Sequence, residues 1–138
     1  MLPLSRSNVL PQQGKALMLR LKADSENAAH RFLDRVAASR SVWLLDDEGF
    51  IAGCNAHLNE RFVVPFFSDR AYAVRGNRAW GSRFVPCEVT LEHFLTFILP
   101  EQIELQNLIG LNWDAYMAGV EWEPDQVLAD LNSRCLAH

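Results

Sequence analysis

Residues 63–73, VVPFFSDRAYA, contain a complete transition from a strand to a helix. The first half is β-branched and aromatic, which favours a buried strand. Pro65 has no N–H, so we expect either that this strand lies at a sheet edge or that Pro65 lies close to the strand's end. Ser68 and Asp69 then supply the hydroxyl cap and the negative charge that a helix N-terminus prefers. The stretch therefore predicts a Ser68-capped helix from Asp69 to about Ala79.

This predicted helix has two unlike sides. At 100° per residue, small residues and two large anchors, Tyr72 and Trp80, fall together on one side. The opposite side carries three arginines: Arg70, Arg75 and Arg78. Gly76 costs about 1 kcal/mol of helix propensity relative to alanine. We therefore expect close packing at Gly76, or else an early end of the helix there.

Composition and length bound the rest of the chain. Its 138 residues, 49% hydrophobic and 22% charged, are typical of a single globular domain. Residues 1–14 hold two prolines, a glycine and few large apolar side chains, so we predict a flexible arm followed by one domain over residues 15–138. Neither a membrane span of roughly 20 apolar residues nor a secretion signal is evident, and the three separated cysteines suit reduced thiols. These features predict a cytoplasmic protein without membrane contact.

Three further helices are indicated by their termini. Ser25 predicts the cap of a helix over residues 26–39. Thr90 predicts the cap of a helix that Pro100 closes, and Pro124 predicts the first turn of the last helix.

Short apolar segments predict the strands. They cover residues 42–45, 50–53, 84–89, 108–113 and 120–122, in addition to the central strand. The first two flank an acidic turn that requires positive φ at Gly49, and the last two form a second hairpin. Residues 15–22 fit either a short helix or a strand. About four helices and about five strands, mostly linked as hairpins, predict an α+β fold with an antiparallel or mixed sheet.

Several of these segments together resemble a known family. The Trp43-Leu44 pair before the acidic turn, the PFFSDRAYA motif, Asn112-Trp113 and the GVEWEP motif at residues 119–124 resemble a family of small bacterial proteins that share a domain of unknown function. The resemblance covers residues 29–131 and implies no activity, substrate or catalytic residue. The chain is more weakly similar to the N-terminal domain of the enhanced-serine-sensitivity protein family, which implies a partner-binding or immunity-type module.

Candidate catalytic and metal-binding residues are few. Cys54 and His57 are three residues apart and could pair as nucleophile and base. Strand alternation places Cys54 with Phe50 and Ala52, so we expect a buried, inert thiol instead. The remaining histidines lack ligand spacing: His30, His93 and His138. The acidic turn over residues 46–48 departs from the EF-hand pattern and no GxSxG motif is present, so we expect no catalytic residue, no metal and no cofactor.

Charge is distributed unevenly along the chain. Five arginines lie between residues 61 and 83, and Asp69 is the single acid among them, whereas residues 84–132 hold nine acids and neither lysine nor arginine. This asymmetry indicates an acidic or anionic partner at the three arginines of the central helix and a basic partner at the acidic C-terminal segment. The alternative is surface pairing of the two segments within the fold. A net charge of −4 and a pI of about 5.5 argue against nucleic acid as a ligand.

Two classes of function follow from these observations. The bipolar charge and the lack of a catalytic motif favour a non-enzymatic protein-binding, adaptor or immunity-like module that binds a partner or anion through Arg70, Arg75 and Arg78. The alternative is a small-anion-binding protein or an enzyme whose site is assembled across the fold, from residues such as Arg75, Arg78, Cys54 and His93. The sequence leaves the oligomeric state open.

Overall fold

A computed structural model describes residues 12–55 and 61–136, with side chains from residue 20 onward. The helices within these ranges are α1 (Gln12–Ser39), α2 (Arg70–Ala79), α3 (Leu91–His93), α4 (Leu99–Leu105) and α5 (Pro124–Leu136), with a π-helical turn (Phe94–Ile98) between α3 and α4. The strands are β1 (Ser41–Asp47), β2 (Phe50–Ile51), β3 (Cys54–Asn55), β4 (Phe62–Phe66), β5 (Val85–Thr90), β6 (Leu108–Leu111) and β7 (Glu121–Trp122). The predicted α+β class is confirmed.

The strands form two sheets that meet at one bridge. One sheet has the order β2-β1-β5 and is antiparallel; the other has the order β3-β4-β6-β7. Within the second sheet β4 and β6 are parallel, whereas β3 and β7 pair antiparallel with their neighbours. Trp43 and Phe67 exchange two backbone hydrogen bonds of 2.8 Å and so connect β1 to the end of β4. The combined sheet is mixed.

The central stretch occupies the middle of this sheet. β4 lies between β3 and β6, so its predicted edge position is wrong, whereas Pro65 does lie next to the last residue of the strand. Backbone groups alternate in direction along a strand, and Phe67 bonds to β1 on the side away from β6. The backbone of Pro65 points to that same side. It lies in the gap between Val63, which pairs with β3, and Phe67, which bonds to β1. Its missing N–H therefore interrupts no ladder.

Two apolar clusters cover the two faces of the sheet. On one face α1, α5 and the helical stretch from α3 to α4 pack against the strands, and this helix-side core includes Phe32, Phe66 and Phe94, all fully buried. On the other face α2 and the loop after β6 cover a second core, the α2-side core, which contains Phe67 and Trp113. The domain therefore has a helix, sheet, helix layering, with α2 alone among the described helices on its face.

The N-terminal helix is longer than the sequence signals predict. α1 is continuous from Gln12 to Ser39, so the predicted cap at Ser25 is wrong, and residues 15–22 are helical. Neither proline nor glycine occurs from residue 15 to residue 39, and an internal serine costs too little propensity to stop a helix. Of the predicted arm, residues 1–11 lie outside the described ranges and residues 12–14 begin α1, and the division into arm and domain stays a prediction. None of the described helices is both long and apolar enough to cross a membrane.

Pro100 does not end the third predicted helix. The helical stretch continues through α4 to Leu105, and Pro100 lies in the first turn of α4. The preceding π-helical turn has a wider hydrogen-bond spacing, with the Leu99 N–H bonded to the Phe94 carbonyl. Pro100, which has no N–H, is accommodated directly after this change in hydrogen-bond spacing.

The predictions for the acidic turn, the second hairpin, the last helix and the Thr90 cap are confirmed. Glu48 and Gly49 both have positive φ, 52° and 94°, in the two-residue loop that joins β1 to β2. The second hairpin pairs β6 with β7, and the last helix begins at Pro124. The Thr90 hydroxyl accepts a hydrogen bond of 3.0 Å from the backbone N–H of His93, which is the predicted cap.

Candidate functional site

The three arginines predicted as binding residues all lie on α2. This helix begins at Arg70 and packs on the sheet through its buried residues, Ala73 and Gly76. A Cβ at Gly76 would lie 2.7 Å from the Met117 sulfur and 2.9 Å from the Phe67 ring, so the predicted close packing at this glycine is confirmed. Since the small residues hold the helix against the α2-side core, its arginines are left near the protein surface.

Two of the three candidate arginines are exposed. Arg70 and Arg78 both face solvent, and neither makes an ion pair with any carboxylate among the described residues. They are eight residues apart, which separates them by about 12 Å along the helix axis. We call the exposed surface formed by Arg70 and Arg78 the arginine face.

Arg75 behaves differently from its two neighbours. Its guanidinium carbon lies 4.9 Å from the centre of the Tyr72 ring, and its Nη2 donates to the Trp113 carbonyl at 3.3 Å. The Nε atom is buried without a hydrogen-bond partner. The expectation that Arg75 points away from Tyr72 is therefore wrong. Its long side chain lies back across the helix and links α2 to the loop after β6.

Four other arginines of the described chain pair with acids. Four bridges join separate elements: Arg35 to Asp69, Arg40 to Glu92, Arg61 to Glu123, and Arg134 to Asp34. Arg134 also bonds Asp130 within α5. The alternative of internal pairing between the basic segment and the acidic C-terminal segment therefore holds for Arg61 with Glu123. The hydrogen bond from Arg61, together with the Arg61 charge, lowers the pKa of Glu123.

A buried polar pair lies where α2 begins. The Ser68 N–H donates to Asn112 Oδ1 at 2.8 Å, and Asn112 Nδ2 donates to the Ser68 hydroxyl oxygen at 2.9 Å. The same hydroxyl donates to Asp69 Oδ2 at 2.7 Å. Asp69 is the residue that precedes the helix, and its side chain makes no capping hydrogen bond. The predicted Ser68 cap is therefore wrong: Ser68 bonds to Asn112, at the end of the parallel neighbouring strand.

Asp69 connects this polar pair to α1. Burial raises the pKa of Asp69, but hydrogen bonds from Ser68 and Arg35, together with the charge of Arg35, outweigh it, so the pKa lies below its ordinary value. The distance from Arg35 Nη2 to Asp69 Oδ1 is 2.7 Å. These polar groups bond to one another, so the cluster holds α1, α2 and the two strand ends together.

The segments that carry the family resemblance thus meet in space. Ser68 belongs to the PFFSDRAYA motif and bonds to Asn112 of the Asn112-Trp113 pair. The Trp113 indole N–H donates at 3.0 Å to the carbonyl of Val120 in the GVEWEP motif. A family model described as "protein of unknown function (DUF2750)" matches residues 29–131. The chain belongs to this family. No curated protein and no solved structure matches it.

In this DUF2750 protein the remaining candidates are dispersed. Cys54 is half-buried, and burial, followed by the charge of Glu121, raises the pKa of its thiol. His57 and His138 lie outside the described residues. His93 lies on the helix-side face, in a groove apart from the pocket that Cys54 lines, and its ring centre is 5.2 Å from that of Phe97. Cys54 and His93 therefore do not line one site.

The acidic turn and the histidines do not form a metal centre in the described part of the chain. Over residues 12–55 and 61–136, no group of three or more histidine, cysteine, aspartate or glutamate side chains is placed to hold an ion. His30 instead packs edge-on against Trp122, with ring centres 6.0 Å apart. Asp46 accepts a hydrogen bond from the Gly49 N–H at 3.4 Å, which is local turn geometry.

Sequence reasoning found α2 and its arginines but missed the Ser68 and Asn112 pair. The available signal was that each residue is polar and directly follows a short apolar strand. It could be used only once β4 and β6 were known to be parallel, because the carboxyl ends of parallel strands meet at one edge of a sheet.

Proposed function

We propose that this DUF2750 protein is a non-enzymatic protein-binding module of the bacterial cytoplasm, and that it presents the arginine face of α2 to an acidic partner. The observation that carries the proposal is that Arg70 and Arg78 are exposed on one helix and meet no carboxylate of the described residues. Arg35, Arg40, Arg61 and Arg134, by contrast, each pair with an acid. Three free thiols support a reducing compartment.

The position of Arg70 adds to this argument. A positive charge at the first residue of a helix opposes the helix dipole, which costs about 0.3–1 kcal/mol at an exposed site. Asp69, its neighbour, is already paired with Arg35. Arg70 therefore makes no stabilising charge interaction within α2. Exposed cations on one helix do, however, accelerate and orient the approach of an acidic surface. Arg78 lies in the last turn, where the dipole favours it.

Arg75 has a supporting part in this proposal. It is fixed by Tyr72 and by the Trp113 carbonyl, so its charge contributes to the field of the arginine face while its side chain stays in place. A net charge of −4 opposes binding along the continuous phosphate backbone of a nucleic acid, so nucleic acid is not the partner that we propose.

A charge-matched pair of variants tests the proposal. Arg70→Gln with Arg78→Gln removes the arginine face, and Arg20→Gln with Arg31→Gln removes two exposed arginines of α1. Each tagged protein is expressed in its native cell, and the retained proteins are quantified over a series of salt concentrations. We expect a stoichiometric partner with wild type and with the α1 variant, its loss from the α2 variant, and weaker retention as salt rises.

Two results would contradict the proposal. One is a partner that the α2 variant retains with unchanged salt dependence. The other is a small anion, and no protein, that leaves with wild type and is lost from the α2 variant, which would favour an anion-binding protein. Thermal unfolding of both variants checks the fold, since exposed charge substitutions move stability by no more than about 0.5 kcal/mol.

A further inference from the structure

A groove of about 460 Å³ opens on the helix-side face of the sheet, away from α2. Its floor is formed by the β1–β2 hairpin and β5, through residues such as Ile51 and Cys87. Its wall is formed by the π-helical turn and α4, which contribute Phe97 and Glu101. We call it the hairpin groove. Since α2 covers the opposite face, this groove is separate from the arginine face.

Large apolar side chains are exposed at the hairpin groove. Phe50 and Phe97 line it, and their exposed fractions are 75% and 62%. Val85 is 62% exposed and lies opposite Asp46 in the register of β1 and β5, at the same end of the sheet. Contiguous exposed apolar side chains in a concave surface are typical of sites that bind another molecule.

The charged groups at this groove are acidic. Asp46 and Glu101 line it, neither makes an ion pair among the described residues, and no lysine or arginine contributes to the lining. Asp47 and Glu48 extend the acidic charge into the adjoining turn. The other titratable side chains in the lining are those of His93 and Cys87. A ligand that fits this chemistry carries an apolar side chain beside a cation.

The edge of β5 does not favour addition of another strand. Trp43 bonds to Phe67, so its neighbour Leu44 directs its backbone to β5, and Pro86 and Glu88 of β5 therefore face outward. Pro86 has no N–H to offer. Just before β5, both backbone groups of Phe84 are occupied by the Asn77 side chain, at 2.8 and 3.0 Å. A molecule bound in this groove would therefore be held by side-chain contacts and not by strand addition.

We propose that the hairpin groove binds a basic, apolar peptide segment of another protein, in which aromatic or aliphatic residues lie between lysines or arginines. The apolar side chains contact Phe97, Phe50 and Ile51, and the cations lie against Asp46 and Glu101. This inference concerns a second surface and does not rest on the function of the arginine face. The two surfaces together would let the domain bind two partners of opposite charge.

The test uses three synthetic heptapeptides and the full chain labelled with ¹⁵N. The first peptide alternates lysine with leucine and phenylalanine, the second replaces the apolar residues by serine, and the third replaces lysine by glutamate. We expect the first to shift the amide resonances of Ile51, Cys87 and Phe97 in a saturable titration, and the other two to leave them unchanged.

Two variants and two controls locate the binding. Asp46→Asn with Glu101→Gln should raise the Kd by about tenfold. Phe97→Ser should abolish saturable binding, because a central aromatic contact carries much of the affinity. The controls are Glu104→Gln, an exposed acid, and Tyr116→Ser, an exposed aromatic side chain outside the groove.

Unchanged resonances with the first peptide would overturn the proposal, and so would shifts confined to α2 or a Kd that both groove variants leave unaltered. Concentration-dependent shifts of the same amides without peptide would also overturn it, since the groove would then bind a second copy of this chain. The amide spectrum of each variant verifies that it is folded before titration. These outcomes are independent of whether the α2 variant loses its partner.

Discussion

Ser68→Ala should lower the free energy of unfolding by about 1–3 kcal/mol, because it leaves a buried donor without a partner. Ser68 and Asn112 are each only 4% exposed. The substitution removes the acceptor of the 2.9 Å bond from Asn112 Nδ2, and it also removes the donor to Asp69. Asp69 can turn to water, since its side chain is partly exposed, whereas the Asn112 amide cannot. The cost therefore arises mainly from Asn112.

A capping role and a buried pair predict different results for a second substitution. If Ser68 were a helix cap, Ser68→Ala would cost about 1 kcal/mol and Ser68→Asp would be tolerated. In the buried pair, Ser68→Asp places a carboxylate beside Asp69 at a site closed to water. Burial of an unpaired charge is expensive, so we expect Ser68→Asp to destabilise the protein more than Ser68→Ala does.

A double-mutant cycle with Asn112→Gly isolates the interaction. Asn112 has φ of 48°, and glycine keeps that left-handed backbone conformation while removing the side chain. Urea unfolding of the wild type, both single variants and the double variant gives the coupling free energy, with Ser133→Ala in α5 as an exposed control. We expect a coupling of about 1–2 kcal/mol for residues in direct contact. Additive effects, or a Ser68→Ala variant as stable as wild type, would refute the reasoning.

The other predictions concern packing, thiol chemistry and pH. Gly76→Ala should destabilise the protein by about 1–3 kcal/mol in urea despite its better helix propensity, because the new Cβ would lie 2.7 Å from the Met117 sulfur; a stabilised variant would contradict this. Native Cys54 should react with a thiol reagent at pH 7.5 more slowly than a free thiol, because burial raises its pKa, and faster labelling would revive the nucleophile hypothesis. Arg35→Gln should destabilise the protein at pH 7, and its difference from wild type should shrink as pH falls below about 3.9. The pKa of Asp69 is lowered on folding, so its contribution is complete above the unfolded pKa and is lost as pH falls through the lower folded pKa. Urea midpoints between pH 2.5 and 7 measure this, and a constant difference would exclude the pair as its cause.

Local signals predicted those features whose physical cause lies within a few residues. Thr90 caps its helix, Gly49 adopts positive φ, and α2 runs from Arg70 to Ala79 within one residue of the prediction. A cap, a hairpin turn and the start of a helix each depend on hydrogen bonds between near neighbours, and residue type reports these directly. The acidic C-terminal segment and the arginines of α2 could also be read from the chain.

The same kind of signal failed where a distant residue competes for the group. Ser68 has the sequence of a cap, but Asn112, 44 residues away, takes its hydroxyl and its N–H. Arg75 falls on the outward side of a helical wheel, yet its length lets it reach back to Tyr72 and the Trp113 carbonyl. Neither partner is predictable until the neighbours of α2 in space are known.

The amino-acid sequence by itself determined the secondary structure near its strongest caps and turns, the α+β class and the uneven distribution of charge, because each of these follows from residue type and short spacing. Tertiary structure alone decided that β4 and β6 are parallel and that an acidic apolar groove forms at the β1–β2 hairpin. It also decided that Arg61 meets Glu123, whereas Arg70 and Arg78 meet no carboxylate of the described residues. The physical reason is that charge pairing and concave surfaces depend on distances between elements far apart in the chain, which no local preference encodes.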